Sequence, residues 1–379
     1  MSRFGWARTG LGWPKEGRAG DVLSPGLGWP APGLKSDLEL DPDQKVATGS
    51  DVVSSTDAVS RETVDSGGVR HVSECDQLAT SLPEPASQTP LAQAITVDTR
   101  RRGSLTGKIF PKPDHTRIVT VANQKGGVGK TTTTVNLAAA LAQAGLRVLV
   151  VDIDPQGNAS TALGIDHQAD VPSIYDVLVD GKAIVDVVQE CVDVANLWCV
   201  PATIDLAGAE IELVSLVARE TRMQRALKAY VDSAADRGEE RLDYVLIDCP
   251  PSLGLLTVNA FVAADEVFIP IQCEYYALEG LSQLLKNIEL IKNHLNPGLH
   301  VSTILLTMYD GRTRLSAQVA EEVRSHFPAQ VLRTSVPRSV RISEAPSFGQ
   351  TVMTYDPSSS GAMSYLEAAG ELADRGAPV

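Results

Sequence analysis

Asn123-Gln124-Lys125-Gly126-Gly127-Val128-Gly129-Lys130-Thr131-Thr132 is the stretch from which the fold can be read. Before it runs an apolar segment, Ile118-Val119-Thr120-Val121-Ala122; after it comes a helical pattern, Val135-Asn136-Leu137-Ala138-Ala139-Ala140-Leu141. A strand, a glycine-rich turn and a helix in that order form the context of a phosphate-binding loop. Gly126, Gly127, Val128 and Gly129 offer backbone N–H groups that phosphate oxygens can approach closely, since glycine carries no Cβ. The start of the following helix adds aligned amide dipoles. Lys130 is placed to reach the β- and γ-phosphates, and the Thr131 hydroxyl, with Thr132 beside it, to meet Mg²⁺ and phosphate. The usual pattern has glycine at position 124; here Gln124 stands there, followed by a second lysine, Lys125.

Two further apolar runs end in acids. Arg147-Val148-Leu149-Val150-Val151-Asp152-Ile153-Asp154 and Tyr244-Val245-Leu246-Ile247-Asp248 read as buried strands. In an open parallel sheet, ligands bind at the carboxyl ends of the strands, so Asp152, Asp154 and Asp248 are expected beside the same phosphates as Lys130. Asp248 is the expected holder of Mg²⁺ through its water shell, because Mg²⁺ keeps several waters and takes one or two carboxylates. Asp154 is the candidate to position or deprotonate the attacking water. Asp152 either joins the metal shell or orders the loop, and a strand-end aspartate can also cap a helix.

With these segments in place the chain resembles the ParA/Soj chromosome-partitioning ATPases over roughly residues 116–379. Asp152-Ile153-Asp154-Pro155-Gln156-Gly157-Asn158 and Ile247-Asp248-Cys249-Pro250-Pro251 carry the likeness. So do residues 201–210, 272–280, 306–312 and Ser343-Glu344-Ala345-Pro346-Ser347. The resemblance implies ATP and Mg²⁺ as ligands, and it assigns Lys125 as the lysine that crosses a dimer interface to the partner's nucleotide. Pro337-Arg338-Ser339 matches the family's loop near the adenine, with Ser339 where asparagine is common. It further implies an ATP-dependent homodimer on non-specific double-stranded DNA, and a ParB/Spo0J-like centromere-binding partner that stimulates slow hydrolysis. The expected location is the cytoplasm, on the nucleoid. Val59-Ser60-Arg61-Glu62-Thr63 is also a translation of the palindrome that such a partner reads, which suggests a centromere site within the gene.

Composition is that of ordinary globular protein, 43 % hydrophobic and 21 % charged in 379 residues. No apolar run reaches the ~20 residues of a membrane span. Cys75, Cys191, Cys199, Cys249 and Cys273 include no Cys-x-x-Cys pair, so reduced buried thiols are expected rather than a disulfide framework or zinc ribbon. Net charge is −14, and residues 116–379 hold 20 Lys+Arg against 32 Asp+Glu. A uniformly basic nucleic-acid footprint is therefore absent. Arg312, Arg314, Arg324, Arg333, Arg338 and Arg341 nonetheless crowd into one stretch. Phosphate neutralisation by such residues is the basis of non-specific binding, and a dimer doubles the patch. Arg333, Arg338 and Arg341 are the preferred DNA contacts.

Residues 1–115 are rich in Gly, Pro, Ser, Thr and Asp without apolar periodicity, and are expected to form a disordered N-terminal tail. Within it, residues 9–14 and 25–30 repeat the pattern Gly-Leu-Gly-Trp-Pro, residues 90–95 suggest a short helix, and Arg100-Arg101-Arg102 forms a basic cluster. Residues 116–379 then alternate. Strands are expected near 117–122, 147–152, 197–200, 243–248, 266–271, 301–307 and 330–335. Helices are expected near 131–144, 205–217, 221–235, 254–263, 277–294, 315–326 and 362–374. The pattern predicts an α/β P-loop NTPase domain: a doubly wound, mostly parallel sheet flanked by helices. Other functions of this fold lack their marks. A membrane-bound relative needs a basic amphipathic C-terminal helix, and residues 364–374 are acidic. An iron–sulfur carrier needs paired cysteines, and a tyrosine-kinase relative a C-terminal tyrosine cluster.

Overall fold

In chain order, β1 (Arg117–Val121) leads through the glycine turn into α1 (Lys130–Gln143), followed by β2 (Val148–Asp152) and α2 (Asn158–Ala162). A short π-helical turn (Asp176–Asp180) and a 3₁₀ turn (Ile184–Asp186) precede β3 (Gln189–Glu190) and β4 (Leu197–Val200). Then come α3 (Leu206–Val214), α4 (Arg222–Asp232), β5 (Tyr244–Asp248), α5 (Leu255–Ala263), β6 (Glu266–Gln272), α6 (Ala277–His294), β7 (His300–Tyr309), α7 (Arg314–His326) and β8 (Val331–Pro337). Three further α-helices follow, α8 (Val340–Glu344), α9 (Val352–Tyr355) and α10 (Ser360–Arg375), with a 3₁₀ turn (Ala345–Phe348) between the first two. This is a computed structural model, and it describes residues 109–275 and 277–377. All of them belong to one compact unit, Gln77–Val379; the other unit, Met1–Asp76, lies outside the described residues. So do the tryptophan repeats, residues 90–95, the triple arginine and Val59–Thr63 noted above.

The strands form one sheet in the order β3-β4-β2-β5-β1-β6-β7-β8. Every pairing is parallel except β3 with β4. Continuous apolar runs make the central strands because helices cover both faces, so no strand face needs to be polar. All five residues of β2 and of β5 are buried. One face packs against α3 to α7 and includes Leu149, Val151, Leu227, Phe261, Ile269 and Leu284. The other packs against α1 and α10 and includes Val119, Leu137, Leu141, Phe268, Leu332 and Tyr365. Small residues line the meeting of these two helices, with Ala138, Ala139 and Ala142 buried on α1 and Ala362, Ala369 and Gly370 buried on α10. Phe110, ahead of β1, already lies in this layer.

The expected doubly wound sheet is present, with differences of detail. β3 is too short, and α2, α8 and α9 too brief, to show a period in the sequence; such turns are held by tertiary packing rather than propensity. α3 and α4 stop about three residues earlier than expected. At both ends a serine hydroxyl donates back to a helix carbonyl, Ser215 to Glu212 at 2.9 Å and Ser233 to Ala229 at 2.7 Å, giving the last turn a side-chain partner. Cys191, Cys199, Cys249 and Cys273 are free and buried.

One buried ion pair joins elements far apart in sequence. The Arg117 guanidinium donates to both Glu266 oxygens, at 2.6 and 2.7 Å, to the Tyr244 hydroxyl at 3.0 Å and to the Leu372 carbonyl at 2.8 Å. It thereby ties β1 to β6, β5 and α10. Bidentate pairing is the strong form of this contact, and removing one partner strands a buried charge. Glu266→Ala is therefore expected to cost about 3–5 kcal/mol, read from the urea midpoint. Arg333→Ala, which removes an 88 % exposed side chain that meets Glu371 at 3.5 Å, is expected to cost below about 1 kcal/mol.

Candidate active site

The sheet brings the acids together by register. Val121 of β1 and Asp152 of β2 both lie level with Asp248 of β5. The glycine turn leaves β1 at that same end. Gly127 and Gly129 have φ of +72° and +87°, values that residues with a side chain rarely adopt, and Gly129 is the N-cap of α1. Gln124 is not among the described residues with positive φ, so this turn does without the usual first glycine. Nothing lies within 4 Å of where a side chain would start at Gly126 or Gly127. The turn is thus an open cradle of backbone amides at a helix N-terminus, which suits an anion such as a polyphosphate. Val128 is buried, and its carbonyl accepts from the Thr307 hydroxyl at 2.9 Å, which fastens the loop to β7. Asn123 fastens the other side: its amide donates to the Pro270 carbonyl at 2.8 Å, and its oxygen accepts from the Lys125 N–H at 3.0 Å.

Burial separates the two lysines. Lys130 is 7 % exposed, and burial lowers its pKa while Asp248 and Asp154 pull it back up. The Lys125 side chain is 35 % exposed, and its ammonium bonds the Glu274 carboxylate at 2.8 Å. Glu274, two residues past the end of β6, is a contact of the loop that sequence reasoning missed. No spacing links it to a lysine 149 positions away.

Asp248 is fully buried, and burial pushes its carboxyl up from 3.8 to about 8, with the nearby Asp152 charge adding to the effect. Hydrogen bonds from Thr131 and Thr134 work in the opposite sense. Thr134 donates to Oδ1 at 3.0 Å, whereas Oδ2 is buried with no hydrogen-bond partner. An orphaned carboxylate oxygen beside a threonine hydroxyl and an open amide cradle fits Mg²⁺ held between one acid and a phosphate. Among the described residues no group of three His, Cys, Asp or Glu is arranged to cage a metal alone. Thr134 escaped sequence reasoning, although its spacing of three from Thr131 places both on one face of α1.

Asp152 is engaged differently. Its Oδ2 accepts from the Ser160 amide at 2.9 Å and hydroxyl at 2.8 Å, and its Oδ1 from the Asp154 N–H at 3.1 Å. Burial raises its carboxyl to about 6. These bonds hold the 152–160 segment in shape. Asp154, almost buried, accepts from the Gln156 N–H at 3.1 Å.

Further out, Pro337 pairs in register with Tyr309, so the ends of β7 and β8 stand together. Ser339 is the N-cap of α8, with its hydroxyl not capping the helix. Met308, next to the Thr307 that holds the loop, has φ +50°, an uncommon value for a side-chain-bearing residue. Arg333, Arg338 and Arg341 are exposed, on β8, in the turn after it and on α8 respectively. Arg333 meets Glu371 at 3.5 Å, and Arg341 meets Glu344 at 3.2 Å and Asp356 at 3.5 Å. Arg338 reaches its surroundings at longer range: the hydrogen-bonded Arg312, and after it the charge of Arg338, hold the Asp310 carboxyl below its ordinary value.

The raised Asp248 pKa predicts a pH dependence. The folded chain binds this proton more tightly than the unfolded chain, so the group favours the folded state at low pH. That contribution is lost as pH rises from about 4 towards about 8. Asp248→Asn removes the penalty. Ligand-free, the variant is expected to have a higher urea midpoint than the parent at pH 8, with the gap closing towards pH 5. It is also expected to lose any stabilisation by Mg²⁺.

Comparison with known proteins agrees with this geometry. Residues 116–301 match the family model described as AAA domain. The chain is 55 % identical over 261 residues to the sporulation initiation inhibitor protein Soj of Bacillus subtilis, covering 69 % of this chain and 99 % of that one. To the chromosome partitioning protein ParA of Myxococcus xanthus it is 52 % identical, covering 69 % and 89 %. Among solved structures, a cobyrinic acid a,c-diamide synthase from Mycobacterium smegmatis with bound ADP and magnesium is 38 % identical with TM-score 0.57, covering 68 % and 94 %. The septum site-determining protein MinD from Pyrococcus horikoshii, complexed with Mg-ADP, is 28 % identical with TM-score 0.55, covering 68 % and 96 %. By a P-loop closed on a parallel sheet and by this degree of identity along the whole described domain, the chain belongs to the ParA/Soj family of chromosome-partitioning ATPases.

Proposed function

We propose that this protein is a nucleotide-gated switch that binds ATP with Mg²⁺, dimerises, holds nucleoid DNA without sequence preference, and lets go after hydrolysis. The observation that carries the reading is the pairing of an open glycine cradle with a buried acid whose Oδ2 has no partner. In this reading Lys130 neutralises the β- and γ-phosphates, with amides of residues 126–132 around them. Thr131 and Asp248 would hold Mg²⁺, which when bound would supply positive charge to neutralise the phosphate oxygens. Asp152 positions the neighbouring segment through Ser160, and Asp154 aligns the attacking water. Pro337 and Ser339 border the base.

Lys125 is the cation supplied in trans. Its pair with Glu274 is part exposed, and such pairs are worth only about 0–1 kcal/mol, so exchanging Glu274 for a partner's phosphate is cheap. ATP then becomes the joint between two subunits, and hydrolysis dissolves it. DNA phosphates compete with Glu371, Glu344 and Asp356 for Arg333 and Arg341, while Arg338 is available directly. Because the domain is acidic overall, this contact is weak per subunit and becomes useful in the dimer. A centromere-bound ParB-like partner that completes the alignment of Asp154 would set the timing of release, in the cytoplasm and on the nucleoid.

Analytical ultracentrifugation with a non-hydrolysable ATP analogue tests the core of this reading: the parent is expected to dimerise, and Lys125→Ala to bind nucleotide yet stay monomeric. Lys130→Ala is expected to abolish nucleotide binding. Turnover stimulated by DNA and the partner should fall by about 10³-fold or more in Lys125→Ala. Asp154→Ala should lose about 10²–10⁴-fold in turnover and remain on DNA as an ATP dimer. A parent that stays monomeric at low salt, or an Asp154→Ala protein that hydrolyses rapidly, would overturn the reading.

A further inference from the structure

A groove of about 750 Å³ runs along the edge of the sheet between β8 and α10. Tyr309 and Pro337 supply apolar wall, and Glu367, Glu371 and Asp374 supply acid. The three acids are spaced by four and three residues, so they share one face of α10. Glu371 holds the neighbouring strand: its oxygens accept from the Arg333 and Thr334 amides, each at 2.9 Å, which covers donors that an edge strand would otherwise leave open. Phe110, 2 % exposed, also lines the groove, and it is the second residue of the described chain. The described chain therefore begins beside the acidic face.

That preceding stretch is Arg100-Arg101-Arg102-Gly103-Ser104-Leu105-Thr106-Gly107-Lys108, with four cations and no acid. Arg102 lies eight residues before Phe110, a reach of up to ~27 Å. Glu367 to Asp374 spans only ~10 Å of helix. Charge, position and length all match.

We propose that the groove between β8 and α10 is the docking site of this chain's own basic segment, Arg100–Lys108, with its cations against Glu367 and Asp374. Rim ion pairs of this kind are individually weak, but an attached segment presents itself at an effective concentration in the millimolar range. Docking is accordingly sensitive to salt. It also withholds the triple arginine from nucleic-acid phosphates, so a polyanion competes with α10 for the same side chains.

Amide hydrogen exchange on the full chain tests this. At low salt, amides of residues 101–108 are expected to exchange at least about tenfold slower than unstructured reference peptides of the same sequence, and to lose that protection in about 0.5 M KCl. Charge reversal of the segment (R100E, R101E and R102E together) or of the groove (E367K with D374K) should each abolish the protection. Glu371 is left intact because it holds the edge strand. Combining both reversals should restore the protection, an outcome that damage to the fold cannot mimic. Absence of protection in the parent, or protection unchanged by either reversal, overturns the proposal. Protection that grows with protein concentration also overturns it, because the occupant would then be a neighbouring chain's segment.

Discussion

Everything in the site depends on carboxylates placed at the ends of adjacent strands with no water to solvate them. Asp152 and Asp248 are level across β2 and β5, and both are fully buried. A buried acid must be protonated, hydrogen-bonded or paired with a cation. Ser160 and the Asp154 amide satisfy Asp152. Asp248 receives threonine hydroxyls and the charge of the Lys130 ammonium, and one of its oxygens has no hydrogen-bond partner. The ligand-free fold therefore carries an electrostatic deficit at this point, of the kind that a divalent cation would relieve. Because β1, β2 and β5 share one register, that deficit lies at the strand ends from which the glycine turn departs.

The two lysines of the loop show how five residues of separation become two different environments. Lys130 enters α1 and is drawn down among Asp154 and Asp248, where desolvation makes its charge costly unless anions face it. Lys125 precedes the left-handed turn and points its ammonium to Glu274 at the rim. A buried cation serves the subunit that owns it. A rim cation keeps a weakly held partner, as the proposed role of Lys125 between subunits requires.

Acidity overall does not contradict contact with nucleic acid, because charge is distributed unevenly. The arginines on and after β8 are exposed and lie near acids of the same subunit, at 3.2 to 3.5 Å for those that pair. Ion pairs at such exposed arginines are individually weak, which is the property that the proposed contact with phosphate requires. α10 contributes both to this balance and to the fold. Its small apolar residues pack on α1, while Glu371 covers the edge of the sheet.

The sequence by itself determined the sheet class, the glycine turn and the strand-end acids. Each is local: apolar runs ending in aspartate mark buried parallel strands, and glycine spacing marks a turn with positive φ. Short elements were not legible, since α2, α8, α9 and β3 have too few residues to show a period. Nor were the partners of the site residues. Thr134 meets Asp248 across 114 positions, Lys125 meets Glu274 across 149, and Arg117 meets Glu266 across the same interval. Tertiary structure alone decided these, because strand order sets which side chains become neighbours, and parallel crossovers bring together residues whose separation along the chain carries no signal. The difference between an acid that is satisfied and one left with an open oxygen is a property of the packed site, where water is excluded and each hydrogen bond has to be supplied by the protein.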